Sequence, residues 1–396
     1  MSDAARHAAY FVPEAVYGTT PENPAFQRIR HTGTTLGVQR GNLQSEELRP
    51  DRQINDFRLG VVTVAGDIST ELSFGSLDAM LEAVLLGTWT PKATKNATTL
   101  SAQASDDSFN DSASGFITAG FQVGDRITVS GFTGDVGNNG TFLVANVAAG
   151  KLIVTDLSGD PVVLIDDAAG ESVTIETVET VLKAGTQRRS FSVLRHFTDI
   201  AASGDGKPYH LFNGVEFNTL ALAINPTAIV TATFGAMGRQ GVAPSNTAPA
   251  GSTFTAPGSA APLDSFTGEL KEGGSVLGIV TEFTANLDNG MEARNVVGSK
   301  FTLRPSIGRS NLTGSATVYF EDASILSKFI DETETSFSIE LPDGAGNSYI
   351  FEFPRIKFTS GQPDVSGQGS ITLSMPFQGL FDSIKESNIV IRKIPA

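Results

Sequence analysis

The chain has 396 residues, with 28 Lys and Arg against 43 Asp and Glu, a net charge of −15, and no cysteine. That length allows two or three domains with cores of ordinary size. Missing cysteine excludes disulfides and thiolate metal sites, and the acidic balance argues against a conventional nucleic-acid reader, which needs a basic face to displace counterions. Abundant Gly, Thr, Ser and Val favour strands and turns. No run reaches the ~18 apolar residues of a membrane span. The start, Met1-Ser2-Asp3-Ala4-Ala5-Arg6-His7, lacks the apolar core of a signal peptide, so synthesis in a cytoplasm is expected.

The N-terminal arm, Ala8 to Pro24, precedes a charge cluster that runs from Arg49 to Arg58. Arg49, Asp51, Arg52, Asp56 and Arg58 lie just before the strand Val61-Val62-Thr63-Val64. The cluster reads in two ways. It is an exposed loop with ion pairs worth ~0–1 kcal/mol each, or it is a subunit contact in which planar Arg–carboxylate pairs fix orientation. These five residues are the candidate interface site.

Gly66 to Leu86 reads as a strand running into a helix: Ile68, Thr70 and Leu72 alternate, then Leu77 and Leu81 share a helix face. Ser76 is the expected N-cap, Asp78 suits the positive helix end, and Gly87 is the expected stop. From Gly87 to Arg189 the sequence carries an excess of small-domain size. Its short strands are 126–129, 141–147, 151–154 and 172–175, separated by turn signals such as Gly137-Asn138-Asn139-Gly140. Residues 92–184 are therefore read as an all-β module inserted in an exposed connection. Its paired acids, Asp106-Asp107 and Asp166-Asp167, read as solvated turns because a calcium loop needs oxygens alternating along the chain.

Gln240 to Pro262 is rich in Ala, Pro, Ser, Thr and Gly. It reads as an extended connection, either a surface loop or a linker long enough to touch a neighbouring subunit. Beyond it the earlier pattern returns. Gly314 to Ile330 matches the Gly66 segment at an offset of 248 positions, with Ala316, Val318 and Phe320 on Ile68, Thr70 and Leu72, and Ile325 and Phe329 on Leu77 and Leu81. Asp322 is the expected cap of this second helix. Ser190-Phe191-Ser192 answers Ser336-Phe337-Ser338, Val215-Glu216-Phe217 answers Ile356-Lys357-Phe358, and 228–232 answers 370–374. Preserved order over such a length means duplication of a domain. The expected organisation is a first unit from 1–91 and 185–239, the module at 92–184, a linker at 240–262, and a second unit at 263–396.

No catalytic residue is assigned. His7, His31, His196 and His210 show no metal-ligand spacing, so no metal or cofactor is expected. Gly204-Asp205-Gly206-Lys207 lacks the rest of a phosphate loop, and its counterpart Asp343-Gly344-Ala345-Gly346 is a turn. A duplicated β unit without chemistry suggests assembly.

Four segments carry a family resemblance: Tyr17 to Phe26, Ser45 to Gln53, Val64 to Ile68, and Leu81 to Trp89. Together they resemble the major tail tube proteins of long-tailed, non-contractile bacteriophages, densely over the first 90 residues or so and more weakly beyond. The resemblance implies a mainly β fold: duplicated tail-tube β-sandwich units, each with one short helix, plus the inserted all-β domain. It also implies a structural virion protein, not an enzyme, whose stacked rings form a conduit for the genome. Two units per chain then give trimeric, pseudo-sixfold rings, with a hexamer if the second copy is peripheral. Expected partners are further copies of the chain, the tape measure protein, the tail terminator and tip proteins, and phage DNA held transiently without sequence specificity; no membrane is expected. The alternatives are a secretion-system tube and a carbohydrate-binding surface protein.

Overall fold

In the computed structural model, residues 3–266, 268–277, 280–321, 323–365 and 367–396 are described. The fold is mainly β, as expected. It divides into two compact units, one of Met1–Thr88 with Lys183–Ile391, the other of Trp89–Leu182 with Arg392–Ala396.

The first unit opens with β1 (His7–Pro13), β2 (Ala25–Ile29), β3 (His31–Thr34), β4 (Gly37–Gln44) and β5 (Phe57–Glu71), then α1 (Asp78–Leu85). It resumes with β6 (Phe191–Phe197), β7 (Tyr209–Ile224), β8 (Thr231–Gly238) and β9 (Thr253–Thr255). The later part holds β10 (Glu269–Glu272), β11 (Val280–Asp288), β12 (Asn311–Tyr319), α2 (Ser324–Ile330), β13 (Thr335–Pro342), β14 (Ser348–Phe358), β15 (Pro363–Asp364) and β16 (Thr372–Gly379).

The same pairing occurs twice. In the earlier half the strands run β6–β7–β8–β5, all antiparallel; in the later half they run β13–β14–β16–β12, also antiparallel. Each time the helix joins the outermost strand of that series to the opposite one. The ladders also correct the sequence alignment. Opposite the paired glycines 66 and 314 stand Ala236 and Phe377, so Thr231 corresponds to Thr372, one position away from the match expected from sequence. A one-residue slip moves a strand's side chains to the other face, and the observed register restores agreement: Ala232 and Leu373 are both buried, Thr231 and Thr372 both exposed.

The two halves are joined edge to edge. β7 bends at Gly214, whose φ is +67° and whose missing Cβ leaves room for Tyr17 and Arg239. Its first part pairs with β6; its last part, Thr219 to Ile224, pairs with β8 on one side and with Phe283 to Asp288 of β11 on the other. One sheet therefore continues through β4, β5, β8, β7, β11, β12, β16, β14, β13 and β10. Asn289 reinforces the joint, its Nδ2 donating to Val84 O (2.7 Å) and Asn218 O (3.0 Å). Tyr349 of β14 reaches α1, its hydroxyl donating to the Asp78 carboxylate and accepting from Gly75 N at 3.0 Å. Burial and that carboxylate hold the Tyr349 phenol well above its ordinary pKa.

Details of the helix ends differ from expectation. Asp78 does sit in the first turn of α1, but Ser76 makes no cap; its hydroxyl is buried without a hydrogen-bond partner among the described residues. Leu86, at φ +51°, takes the left-handed C-cap position expected at Gly87, which instead donates to Glu82 O. Tertiary packing of Met80, Leu81, Val84 and Leu85 sets where this helix ends. Asp322 lies outside the described residues.

The N-terminal arm is part of the sheet: β1 pairs along its length with β6. Residues 240–262 are also laid down on the fold. β9 runs parallel to β2, and Phe254 stacks on Phe26 with ring centroids 5.8 Å apart.

In the second unit, strands Thr94–Ala97, Val173–Thr177, Arg126–Ser130, Gly140–Ala148, Lys151–Thr155, Ser108–Asp111 and Leu100–Gln103 pair in that order, all antiparallel. Their core gathers Phe109, Phe116, Ile127, Phe132 and Leu152. The acidic pairs brace turns: Asp106 bridges Lys151 (2.5 Å), Asp166 accepts from Ala104 N (2.8 Å) and Asp167 from Asp135 N (2.9 Å).

Gly66 and Gly314 share one physical role. A Cβ on Gly66 would lie 2.6 Å from Leu36 N, and one on Gly314 would collide with Phe377 and Thr284 O. Gly33, by contrast, has open space around it. Gly66→Ala and Gly314→Ala should each cost about 1–3 kcal/mol through forced strand separation, while Gly33→Ala stays within about 0.5 kcal/mol. Urea midpoints of the three variants check this; a neutral Gly314→Ala would deny the shared role.

Candidate assembly surfaces

The charge cluster picked out in sequence sits at the tip of the β4–β5 ribbon. Pairing of β4 with β5 continues to Gln44 opposite Phe57, and Ser45 N closes the turn on Asp56 O. Arg49 grips Asp51 in a two-pronged contact, Nε to Oδ1 at 3.0 Å and Nη2 to Oδ2 at 2.8 Å, and its Nη1 donates to Asn55 at 2.9 Å. The guanidinium holds the Asp51 carboxyl below the usual carboxylate range. Asp56 accepts from Phe57 N (2.8 Å). Arg52 and Arg58 make no ion pair among the described residues. The structure therefore joins Arg49 to Asp51 and leaves Arg52 and Arg58 presented to solvent.

The ribbon also exposes Leu43, Leu48, Ile54, Phe57 and Leu59. A two-stranded ribbon with both faces in water is marginal alone, and exposed apolar side chains along it mark a contact surface.

The later half makes its own excursion between β11 and β12, and here a buried charge ties it down. Glu216 on β7 is buried and held by two cations: Arg188, and Arg304, whose Nε lies 2.7 Å from Oε1. Arg304 also lies over the Tyr17 ring, 5.3 Å from its centroid. Burial, Glu216 and Glu14 push the Tyr17 phenol up to about 12. A buried carboxylate needs such partners, and Val215-Glu216-Phe217 carries the hint in sequence: an acid between two apolar strand residues. Its partners, distant along the chain, are not legible there.

The histidines, unconnected by spacing, share one neighbourhood on β1, β3, β6 and β7. Arg195 Nε donates to His7 Nε2 (3.1 Å), so His7 Nδ1–H must donate to His31 Nε2 (2.8 Å), and His31 Nδ1–H to Ile29 O (3.3 Å). This chain of donors uses neutral imidazoles throughout. Burial, then the charges of Arg195 and the other histidines, bring His7 down to about 4. Burial lowers His31, His196 and His210 as well, with Arg28 and Arg195 adding to it at His31. His196 stacks on Tyr209 with centroids 4.3 Å apart, and His210 lies 4.9 Å from Phe197. This is a structural network, tied to Arg195 through His7.

The continuous sheet has a buried face and an open face. Ile68, Phe234, Leu222, Phe283, Leu287, Leu312 and Met375 point to the core. On β5 from Thr63, and on β8, the end of β7, β11, β12 and β16, the open face carries Thr, Ser, Asn and small apolar residues, with Met237, Tyr319 and Gln378 and the acids Asp67, Glu71, Glu282 and Asp288. No lysine or arginine stands among these positions.

A family model described as "Phage tail tube protein" matches residues 4–379. No curated protein matches. Among solved structures, the phage phi92 endosialidase aligns at 10% identity over 86% of this chain, with a TM-score of 0.16. This chain spans 57% of that one's length, and at that score the likeness carries no argument.

Acid should weaken the fold through the histidines. Each has a folded pKa below its unfolded value near 6.5, so the unfolded state binds more protons as pH falls. Their stabilisation is complete above about pH 6.5 and is lost progressively towards pH 4. Melting temperature followed from pH 7.5 to 4.5 should fall more steeply in the native protein than in His7→Gln, which removes the imidazole brought down to about 4; equal slopes would refute the assignment.

Proposed function

This chain belongs to the phage tail tube protein family, a family of structural virion components, and from that premise we propose that it polymerises as stacked trimeric rings of pseudo-sixfold symmetry. The observation that carries this reading is the continuous sheet: two like-paired halves, joined edge to edge, supply two neighbouring staves from one chain. On this reading residues 1–91 and 185–239 form one tail-tube unit and 263–396 the other. Three chains close a ring in which strand edges find partners.

The open face of the sheet becomes the wall of the bore. On its central strands, from β5 to β16, carboxylates and hydroxyls without lysine or arginine suit a conduit through which DNA slides; repulsion acts within about 8 Å at physiological salt. The β4–β5 ribbon, with Arg49, Asp51, Arg52, Asp56 and Arg58 at its tip, reaches towards a neighbouring copy, where exposed Arg52 and Arg58 meet carboxylates of an acidic protein. Tape measure, terminator and tip proteins would set length and ends. Synthesis in the host cytoplasm and a siphophage tail complete the reading. A secretion-system tube shares the architecture but not a genome as cargo.

Electron microscopy and native mass measurement of the purified protein test it. Rings or tubes with three chains per ring are expected; monomers alone at high concentration refute it.

The inserted module should be dispensable. Gly185 N donates to Leu85 O (3.0 Å) and Gln187 N to Leu86 O (2.7 Å), so the ends of the connection already meet. Deleting residues 92–184, and with them Arg392–Ala396 because Arg392 pairs with the buried Glu179, should leave ring formation intact. A folded deletion variant that stays monomeric would refute the surface-module assignment.

A further inference from the structure

The joint inside the chain specifies a second joint between chains. At the internal joint, Thr219, Leu220, Ala221, Leu222, Ala223 and Ile224 stand opposite Asp288, Leu287, Asn286, Ala285, Thr284 and Phe283. Both strands have counterparts that lack this partner. Phe217 lies opposite Ala236 and Phe358 opposite Phe377; Leu222 lies opposite Ala232 and Pro363 opposite Leu373. These ladders make Ser360 to Val365 the later half's version of Thr219 to Ile224. On the other side, Phe283 and Leu287 lie opposite Ala316 and Leu312 of β12, while Thr34 and Val38 lie opposite Ile68 and Val64 of β5. Thr34 to Gln39 is thus the earlier half's version of Phe283 to Asp288.

Exposure shows what the two free edges lack. Ile224 and Leu287 at the internal joint are 9% and 2% exposed. Their counterparts Val365 and Val38 are 71% and 49% exposed, although strand alternation turns both towards the core face. Apolar side chains that face a core and yet lie in water are what an unclosed sheet leaves behind.

We propose that the edge Ser360–Val365 of one chain pairs antiparallel with Thr34–Gln39 of the next, Ser360 opposite Gln39 and Val365 opposite Thr34. The partner is a second copy of this chain, because the sequence already contains this joint, paired within itself, once. One backbone detail agrees. Pro363, which would face Leu36, has no N–H to give, and the Leu36 carbonyl is already served by Arg195 Nη1 at 2.6 Å. The inference rests on the ring reading above and adds to it the seam and its register.

The chain has no cysteine, so introduced pairs report cleanly. Under mild oxidation, rings of Ser360→Cys/Gln39→Cys or Val365→Cys/Thr34→Cys should cross-link between chains. These pairs lie on opposite faces, so at least one suits disulfide geometry. Ser360→Cys/Val38→Cys, one residue out of register, should give at least about tenfold less product, because its side chains diverge. Since a variant can misfold, the unmodified protein supplies a second readout. On assembly, amide exchange should slow at least about tenfold at 34–39 and 360–365, while Thr219 to Ile224 is protected before and after. Rings that form without cross-linking or new protection there overturn the seam and leave the ring reading standing; absence of any ring overturns both.

Discussion

A strand's edge carries unpaired backbone donors and acceptors, and the arrangement of this chain follows from where those edges are satisfied. β7 is the element that decides it. Bent at Gly214, it gives its first part to β6 and its last part to β8 and β11, so that one strand belongs to the earlier half and at the same time receives the later one. The bend is fixed by Glu14, whose carboxylate accepts from Gly214 N (2.9 Å), Gly18 N (2.7 Å) and the hydroxyls of Ser190 and Ser192 (2.8 Å each). One acid from the N-terminal segment thus sets the direction of the strand on which the sheet's continuity depends.

The joint is more than a ladder. Tyr349 crosses from the later half to the helix of the earlier one, and Asn289 ties α1, β7 and β11 together through two carbonyls. A pair of halves held only by exposed strand edges would slip in register; buried polar groups with single satisfactory partners resist that. Gly66 and Gly314 act in the same sense, admitting the neighbouring strand at a distance that any side chain would forbid.

Much of this was legible in the sequence. The duplicated strand–helix pattern was visible because Gly66 and Gly314 anchor runs with the same alternation; strands 126–129, 141–147 and 151–154 each fall within an observed strand, and 172–175 overlaps one that begins at Val173. Thr94–Ala97, Leu100–Gln103 and Ser108–Asp111 were not seen, since four-residue segments with few β-branched or aromatic residues give little periodic signal. The matched strand 228–232 was misplaced by one because Ile229 and Ile371 attract each other in an alignment while the ladder pairs by backbone. The strand pairing of the N-terminal segment was not legible for a similar reason: Phe11, Val12 and Phe26 are buried where the chain meets partners far along the sequence. The histidine network and the Glu216 node were illegible because their members approach only through strand pairing. Of the five residues marked at the ribbon tip, Arg49 and Asp51 turned out to answer each other.

The distribution of charge follows from these local bonds. With fewer cations than anions, the open face from β5 to β16 carries no lysine or arginine, and several cations are bound to other partners. Arg188 and Arg304 are committed to Glu216, Arg195 to His7 and the Leu36 carbonyl, Lys328 to Glu272, and Arg355 to Glu334. None of these contacts involves Asp67, Glu71, Glu282 or Asp288. The neutral histidines belong to the same pattern, since protonating them would add positive charge beside Arg195. A wall that neither grips a polyanion nor collapses needs its anions spaced by small polar residues, and the alternation of threonine, serine and asparagine along these strands provides that spacing. The property proposed for the bore thus arises from the same strand register that joins the two halves.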